Sequence, residues 1–207
     1  MTKIYLTRHG QTEWNVEGRM QGTQDSALTS LGVKQAEWLG SSLQSEPMDL
    51  IISSSSGRAV KTAELIRGTR NIPLETNDRL KEINLGEWEG RLQSQIQKFF
   101  PYEYKHFWEE PHLYESTEGE DFAEVIERAG RELEQLALDN EGKTILVVTH
   151  AVVLKCLMAY FEEKPVRDVW SGAYMHSTSL SLVERAAGEW KVHFQGDTAH
   201  HEASSSP

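Results

Sequence analysis

Only one of the 207 residues is cysteine, Cys156, so the chain cannot form an internal disulfide or build a cysteine-based zinc cluster. That usage fits a reducing compartment, and a cytoplasmic location is expected. No apolar run approaches the roughly 20 residues that span a bilayer. Met1-Thr2-Lys3 leads straight into a strand-like pattern, so no leader peptide is expected. Basic residues are in short supply, with 21 Lys and Arg against 32 Asp and Glu, a net charge of −11. No basic stripe offsets that charge, which argues against nucleic acid or an anionic membrane as partner. The same charge repels a phosphorylated small molecule at long range, so any anion site must be made locally from clustered Arg and His. Several motifs are missing as well. The chain has no Gly-x-Gly-x-x-Gly, no P-loop, and no Gly-x-Ser-x-Gly elbow around the serine run 53–56. It has no His-x-x-x-His pair or Asp-rich cluster, and neither a metal nor a cofactor is expected.

What remains is an ordinary globular composition, 38% hydrophobic and 26% charged, in a chain long enough for one sizeable core. Apolar periodicity gives strands over 3–7, 49–53 and 144–149 and a C-terminal hairpin from 179–184 and 190–194. Helical spacing gives 29–44, through Leu31, Gln35, Trp38, Leu39 and Leu43, with Thr29 or Ser30 as N-cap. It also gives 58–69, capped from the polar loop 53–57, a short helix over 92–99 stopped by Pro101, and helices over 121–140 and 151–161. The stretch 71–87 reads as irregular, with an extended piece around Pro73. Strands alternating with helices predict an α/β fold, a three-layer α/β/α sandwich around a mainly parallel sheet. One domain is expected over 1–198, with a helical and loop insertion around 90–120 and a loose, solvent-exposed tail over 199–207 that includes His200 and His201.

Two strands end alike. Lys3-Ile4-Tyr5-Leu6 runs into Thr7-Arg8-His9-Gly10, and Ile145-Leu146-Val147-Val148 runs into Thr149-His150. If the strands are neighbours, both imidazoles arrive at one sheet edge, where open α/β sheets place ligands. Arg58 in Ser56-Gly57-Arg58-Ala59 and Glu82 in Leu80-Lys81-Glu82-Ile83 also sit in polar loops beside predicted elements. Two guanidiniums, two imidazoles and a carboxylate form a coherent phosphoryl-transfer set. Arginine's planar fork matches phosphate oxygens, histidine serves as nucleophile or donor, and a carboxyl group protonates a leaving oxygen. Taken singly, each residue has a structural reading: a hydrogen-bonded strand-end His, a solvated Arg, an incidental Glu. Cys156 reads as a core residue of an apolar helix.

The order of these segments resembles the histidine phosphatase superfamily, the phosphoglycerate-mutase-like group. The run from Leu6-Thr7-Arg8-His9-Gly10 through Asn15, Gln21-Gly22 and Asp25-Ser26-Ala27-Leu28-Thr29 is similar to its N-terminal signature. Ser56-Gly57-Arg58-Ala59, Leu80-Lys81-Glu82-Ile83 and Val148-Thr149-His150 follow in the family's order. Glu82-Ile83-Asn84-Leu85-Gly86-Glu87-Trp88-Glu89-Gly90 resembles the phosphatase branch and lacks the Glu-Arg-His-Tyr-Gly run of true mutases. Phe107-Trp108-Glu109-Glu110-Pro111-His112-Leu113-Tyr114 and the 170–175 segment resemble the broad-specificity phosphatases of Bacillus and relatives.

The resemblance implies a metal-independent phosphomonoesterase working through a phosphohistidine. His9 is the implied nucleophile and Glu82 the implied acid and base. Arg8, Arg58, His150 and Asn15 are the implied phosphate ligands, with Gln21, Gly22 and Ala151 beside them. Met20, Phe107, Trp108, Leu113, Tyr114 and Tyr174 are expected to wall an apolar pocket. The expected partners are a small phosphomonoester and the phosphate released from it, with monomer or dimer left open. A phosphoglycerate mutase and a weakly active phospho-ligand-binding module are the alternatives. Three positions depart from the family pattern: Gln11 stands for Glu, Asp121 for Ser, and Ala151 for the Gly after the second His. The last is the one whose Cβ could crowd a phosphate or alter a backbone donor.

Overall fold

The computed structural model describes residues 1–116 and 118–201. Six strands form one sheet: β1 (Thr2–Arg8), β2 (Leu50–Ser54), β3 (Leu74–Asn77), β4 (Thr144–Thr149), β5 (Leu180–Ala186) and β6 (Glu189–Asp197). Their order is β3-β2-β4-β1-β5-β6. The pairs β2–β3, β2–β4 and β1–β4 are parallel, while β5 runs antiparallel to β1 and β6 antiparallel to β5. Side chains alternate across this sheet with apolar groups on both faces. Ile4, Leu6, Ile52, Ile145 and Val147 enter one core; Tyr5, Ile51, Leu146 and Val148 enter the other. Strands buried on both faces need helices on both sides.

Helices α2 (Ser30–Ser42) and α3 (Gly57–Arg67) cover the second face through Ala36, Leu39, Ala59, Ala63 and Ile66. Helices α6 (Phe122–Asp139) and α7 (Ala151–Phe161) cover the first, with the short α4 (Gln93–Phe99) and α5 (Pro101–Glu109) beyond them. The three-layer α/β/α expectation is met. α1 (Glu13–Glu17) is one short turn after β1, closed by a capping box between Thr12 and Asn15. α6 starts the same way, with Asp121 and Glu124 as the reciprocal pair. The Asp121 departure is therefore an efficient N-cap.

Four expectations need correction. The buried face of α2 is Gly32, Ala36 and Leu39, whereas Leu31 is 38% exposed. The cause is a close approach, since a Cβ on Gly32 would lie 2.0 Å from the Gln11 carbonyl oxygen, so the helix turns its small residues toward the loop after β1. Pro101 does more than stop α4. It opens α5 at a position where its missing N–H has no helical partner to lose. The irregular 71–87 stretch contributes β3, because Pro73 accepts from the Ile51 N–H and then releases the chain onto the sheet edge. His200 and His201 are packed rather than exposed. His201 Nε2 lies 2.9 Å from Thr178 Oγ1 and its ring 6.2 Å from Trp38. The rest of the predicted loose tail, 202–207, lies outside the described residues.

Candidate active site

β1 and β4 are adjacent, and their register pairs Arg8 with Thr149. His9 and His150 therefore leave the sheet side by side, with ring centroids 5.2 Å apart. His9 Nδ1 is 2.8 Å from the carbonyl oxygen of Gly10. A carbonyl only accepts, so Nδ1 carries the hydrogen and Nε2 keeps its lone pair. Burial, reinforced by the Arg58 and Arg8 cations, holds this imidazole well below its usual pKa and hence neutral. The Gly10 turn that makes the contact is pinned by its own N–H to Thr62 Oγ1 at 3.0 Å.

Arg58 is 2% exposed and closely held. Its Nη1 donates to the Gln24 carbonyl at 2.5 Å and to Asp25 Oδ1 at 2.9 Å, and its Nη2 donates to the Gly22 carbonyl at 2.9 Å. Asp25 Oδ1 also accepts the Arg58 N–H at 3.2 Å. It thereby caps α3, where Ser56 makes no side-chain cap bond. The sequence predicts that cap from the serine loop 53–57; the carboxylate arrives instead from a loop 33 residues upstream. Arg8 donates through Nη1 to the Met175 carbonyl at 2.9 Å. Among the described residues, the Nε–H groups of Arg8 and Arg58 are both buried without a protein acceptor. A buried, unsatisfied guanidinium N–H is costly unless something anionic meets it.

Glu82 lies across the entrance of α7. Its Oε1 accepts from the N–H groups of Ile83 at 3.0 Å and Val153 at 3.3 Å, and its Oε2 from Val152 at 3.3 Å. Burial pushes this carboxyl up, against the pull of the Ile83 N–H and the Arg58 charge. A carboxyl raised in this way holds its proton to higher pH than a solvated glutamate does, as an acid catalyst requires. Arg128 fixes the segment from behind, donating to the Glu82 carbonyl at 3.3 Å while pairing with Glu120.

These groups open on a cavity of ≈ 410 Å³. Arg8, His9, Asn15, Gln21, Gly22, Arg58, Glu82 and Ala151 line it together with Met20, Phe107, Trp108 and Tyr174. His150 does not reach the lining. Its Nδ1 is 3.1 Å from Arg58 Nη2 and its Nε2 2.8 Å from Ser54 Oγ, so it stands behind the guanidinium. Burial and the Arg58 charge hold it, too, well below its usual pKa. Asn15 Oδ1 is used by the Thr12 N–H, and Gln21 is tied to Thr12 and Ser26. Ala151 is the first residue of α7 and is absent from the positive-φ positions, so its Cβ carries no backbone strain.

Leu113 and Tyr114 are not brought to this cavity. The turn at Pro111 leaves Leu113 exposed and drives Tyr114 inward, 5.0 Å from the Phe107 ring, where it lines a separate hollow. Trp170, Gly172 and Met175 take the vacated wall, along with Arg19, Gln93 and Lys155. Of the 170–175 segment only Tyr174 is expected at the wall from the sequence, and Lys155 is not expected there at all. A lone lysine within the apolar helical run 151–161 is the sequence signal, and the fold leaves it only 5% exposed. Lys155 Nζ donates to the carbonyls of Ser171 at 2.6 Å and Ala173 at 2.9 Å and so holds that wall in place.

A family model described as histidine phosphatase superfamily (branch 1) matches residues 4–198. The solved structure of Bacillus stearothermophilus YhfR superposes with a TM-score of 0.95 at 46% identity, covering 97% of this chain and 99% of that one. Phosphoserine phosphatase 1 of Hydrogenobacter thermophilus is 34% identical over 171 residues, 83% of this chain and 81% of its own. A probable phosphoglycerate mutase, GpmB of Yersinia pestis, is 32% identical over 212 residues, 97% and 95% of the two chains.

Proposed function

The chain belongs to the histidine phosphatase superfamily and is a phosphoric monoester hydrolase, and we propose that it hydrolyses small, partly apolar phosphomonoesters through a phosphohistidine on His9. One observation carries this reading: a neutral imidazole with Nε2 free, in a cavity also lined by two guanidiniums whose buried Nε–H groups lack acceptors.

In the proposed first step the His9 Nε2 lone pair attacks phosphorus in line. The bond to the leaving oxygen breaks, and the Glu82 carboxyl gives its proton to that oxygen. In the second step water attacks the same phosphorus, the N–P bond breaks, and the Glu82 carboxylate takes the water's proton. Arg8 and Arg58 offset the charge spread over the equatorial oxygens and supply what a metal ion supplies elsewhere; Asn15 adds a neutral donor. His150 and Asp25 keep Arg58 in place. The apolar wall of Met20, Phe107, Trp108, Trp170 and Met175 supports a leaving group recognised by burial rather than by polar pairing, hence broad specificity.

The test is p-nitrophenyl phosphate hydrolysis in excess EDTA, wild type beside His9→Ala. Turnover that resists EDTA and vanishes in the variant is expected. Turnover in both proteins means another nucleophile, and EDTA-sensitive turnover means a metal takes part. The likeness to a probable mutase keeps that alternative open; isomerisation of 3-phosphoglycerate primed by 2,3-bisphosphoglycerate, faster than hydrolysis, would establish it.

A further inference from the structure

A second cavity, ≈ 330 Å³, adjoins the catalytic one and shares Arg8, Asn15, Arg19, Gln93 and Tyr174 with it. Apart from Gly18, its remaining wall comes from three separate regions. Gln11 and Gln35 come from the loop after β1 and from α2, His176 and Ser177 from the turn before β5, and His201 from the C-terminal segment. In a chain of net charge −11, the lining contains, among the described residues, two arginines, two histidines and several amides but no Asp or Glu. Two carboxylates stand close by but outside the lining. Glu17 holds Arg19 through Nε at 2.5 Å, and Asp197 acts on His200 and His201 from outside the lining.

Donors in this chamber have capacity to spare. Arg19 uses Nε on Glu17 and Nη1 on the Gly90 carbonyl, which leaves Nη2. Arg8 uses Nη1 on Met175, and its Nε has no acceptor among the described residues. Gln35 is engaged through Oε1, which accepts from the Gln11 N–H at 3.0 Å, so its amide hydrogens remain to be placed. Preorganised amide and guanidinium N–H groups that have no acceptor of their own are what an oxyanion requires. We propose that this chamber is a second oxyanion site, adjoining the phosphoryl site and sharing Arg8 with it, taking a carboxylate or phosphate group. The oxyanion comes either from the substrate's own far end or from free inorganic phosphate. The site goes beyond the catalytic reading, because oxyanion binding can be read without turnover and stands or falls independently of His9.

Gln35→Glu is the discriminating variant. It keeps the acceptor for the Gln11 N–H and places a negative charge in the chamber. Ser177→Asp is its companion should Gln35→Glu fail to fold. Calorimetric titration with inorganic phosphate is expected to give two sites per wild-type chain and one in either variant. Kinetics then separate the sources. An increase in KM of about tenfold for 3-phosphoglycerate, with glycerol 3-phosphate unchanged, assigns the chamber to the substrate's own carboxylate. No change for either ester, together with loss of the second phosphate, assigns it to free phosphate. One phosphate per wild-type chain, with both esters responding alike to the variant, overturns the proposal.

Discussion

Arg58 Nη2 lies 3.1 Å from His150 Nδ1, and a guanidinium can only donate. His150 must therefore be neutral at Nδ1, with its hydrogen on Nε2 and directed to Ser54 Oγ at 2.8 Å. The second histidine thus orients the arginine from behind, linking the end of β4 to the end of β2.

His150→Ala should accordingly lower kcat for p-nitrophenyl phosphate by about 10²–10³, the usual cost of losing one oriented charge donor. It should also cost about 1–3 kcal/mol of stability, because a buried guanidinium N–H loses its acceptor and Ser54 Oγ loses one of its partners. Steady-state kinetics and urea melts check both, and an unchanged kcat would remove His150 from the machinery.

Glu82→Gln separates leaving groups. An alkoxide needs a proton as it departs, and its ester should lose about 10²–10⁴ in kcat. Nitrophenolate leaves unaided and should lose far less. Hydrolysis of alkyl esters by the wild type should also fall as pH rises through the raised Glu82 pKa, and that limb should disappear in the variant. Equal losses for both ester types would show that Glu82 only positions α7.

Acid should destabilise the fold through its two active-site histidines. Both are held well below their usual value in the folded state. Below about pH 6.5 the unfolded chain takes up protons that the native state refuses, so stability falls as pH falls toward the folded values. Urea midpoints measured between pH 8 and pH 5 should decline for the wild type, and less steeply for His9→Gln. Parallel profiles would mean that His9 is not held neutral.

Gly22 is needed for its backbone. Its φ is +54°, and an added Cβ would lie 2.1 Å from Glu89 Oε1. Glu89 itself organises the loop by accepting the Thr23 N–H at 2.8 Å and the Gln24 N–H at 3.2 Å. Gly22→Ala should cost about 1–3 kcal/mol. It should reduce kcat as well, because the Gly22 carbonyl is one of the acceptors that hold Arg58. Wild-type activity in a folded Gly22→Ala protein would contradict that link.

Much of this was legible along the chain because it is local. Short apolar runs with a Thr-Arg-His or Thr-His ending mark β1 and β4 within ten residues each, and in-order motifs point to the family before any contact is known. The neighbourhood of His9 and His150 follows once two buried-type strands are assumed adjacent, an arrangement the parallel β1–β4 register bears out. Tertiary structure decided which side chain faces which. Tyr114 turned into the core and Trp170 replaced it on the wall because the Pro111 turn, not residue type, sets direction. Asp25 became the cap of α3 and the partner of Arg58 across 33 residues of chain, a pairing no spacing rule encodes. Local pattern selects strands, helices and reactive residue types. Long-range packing sets the protonation, orientation and company of those residues, because burial and charge proximity exist only after the chain has closed on itself.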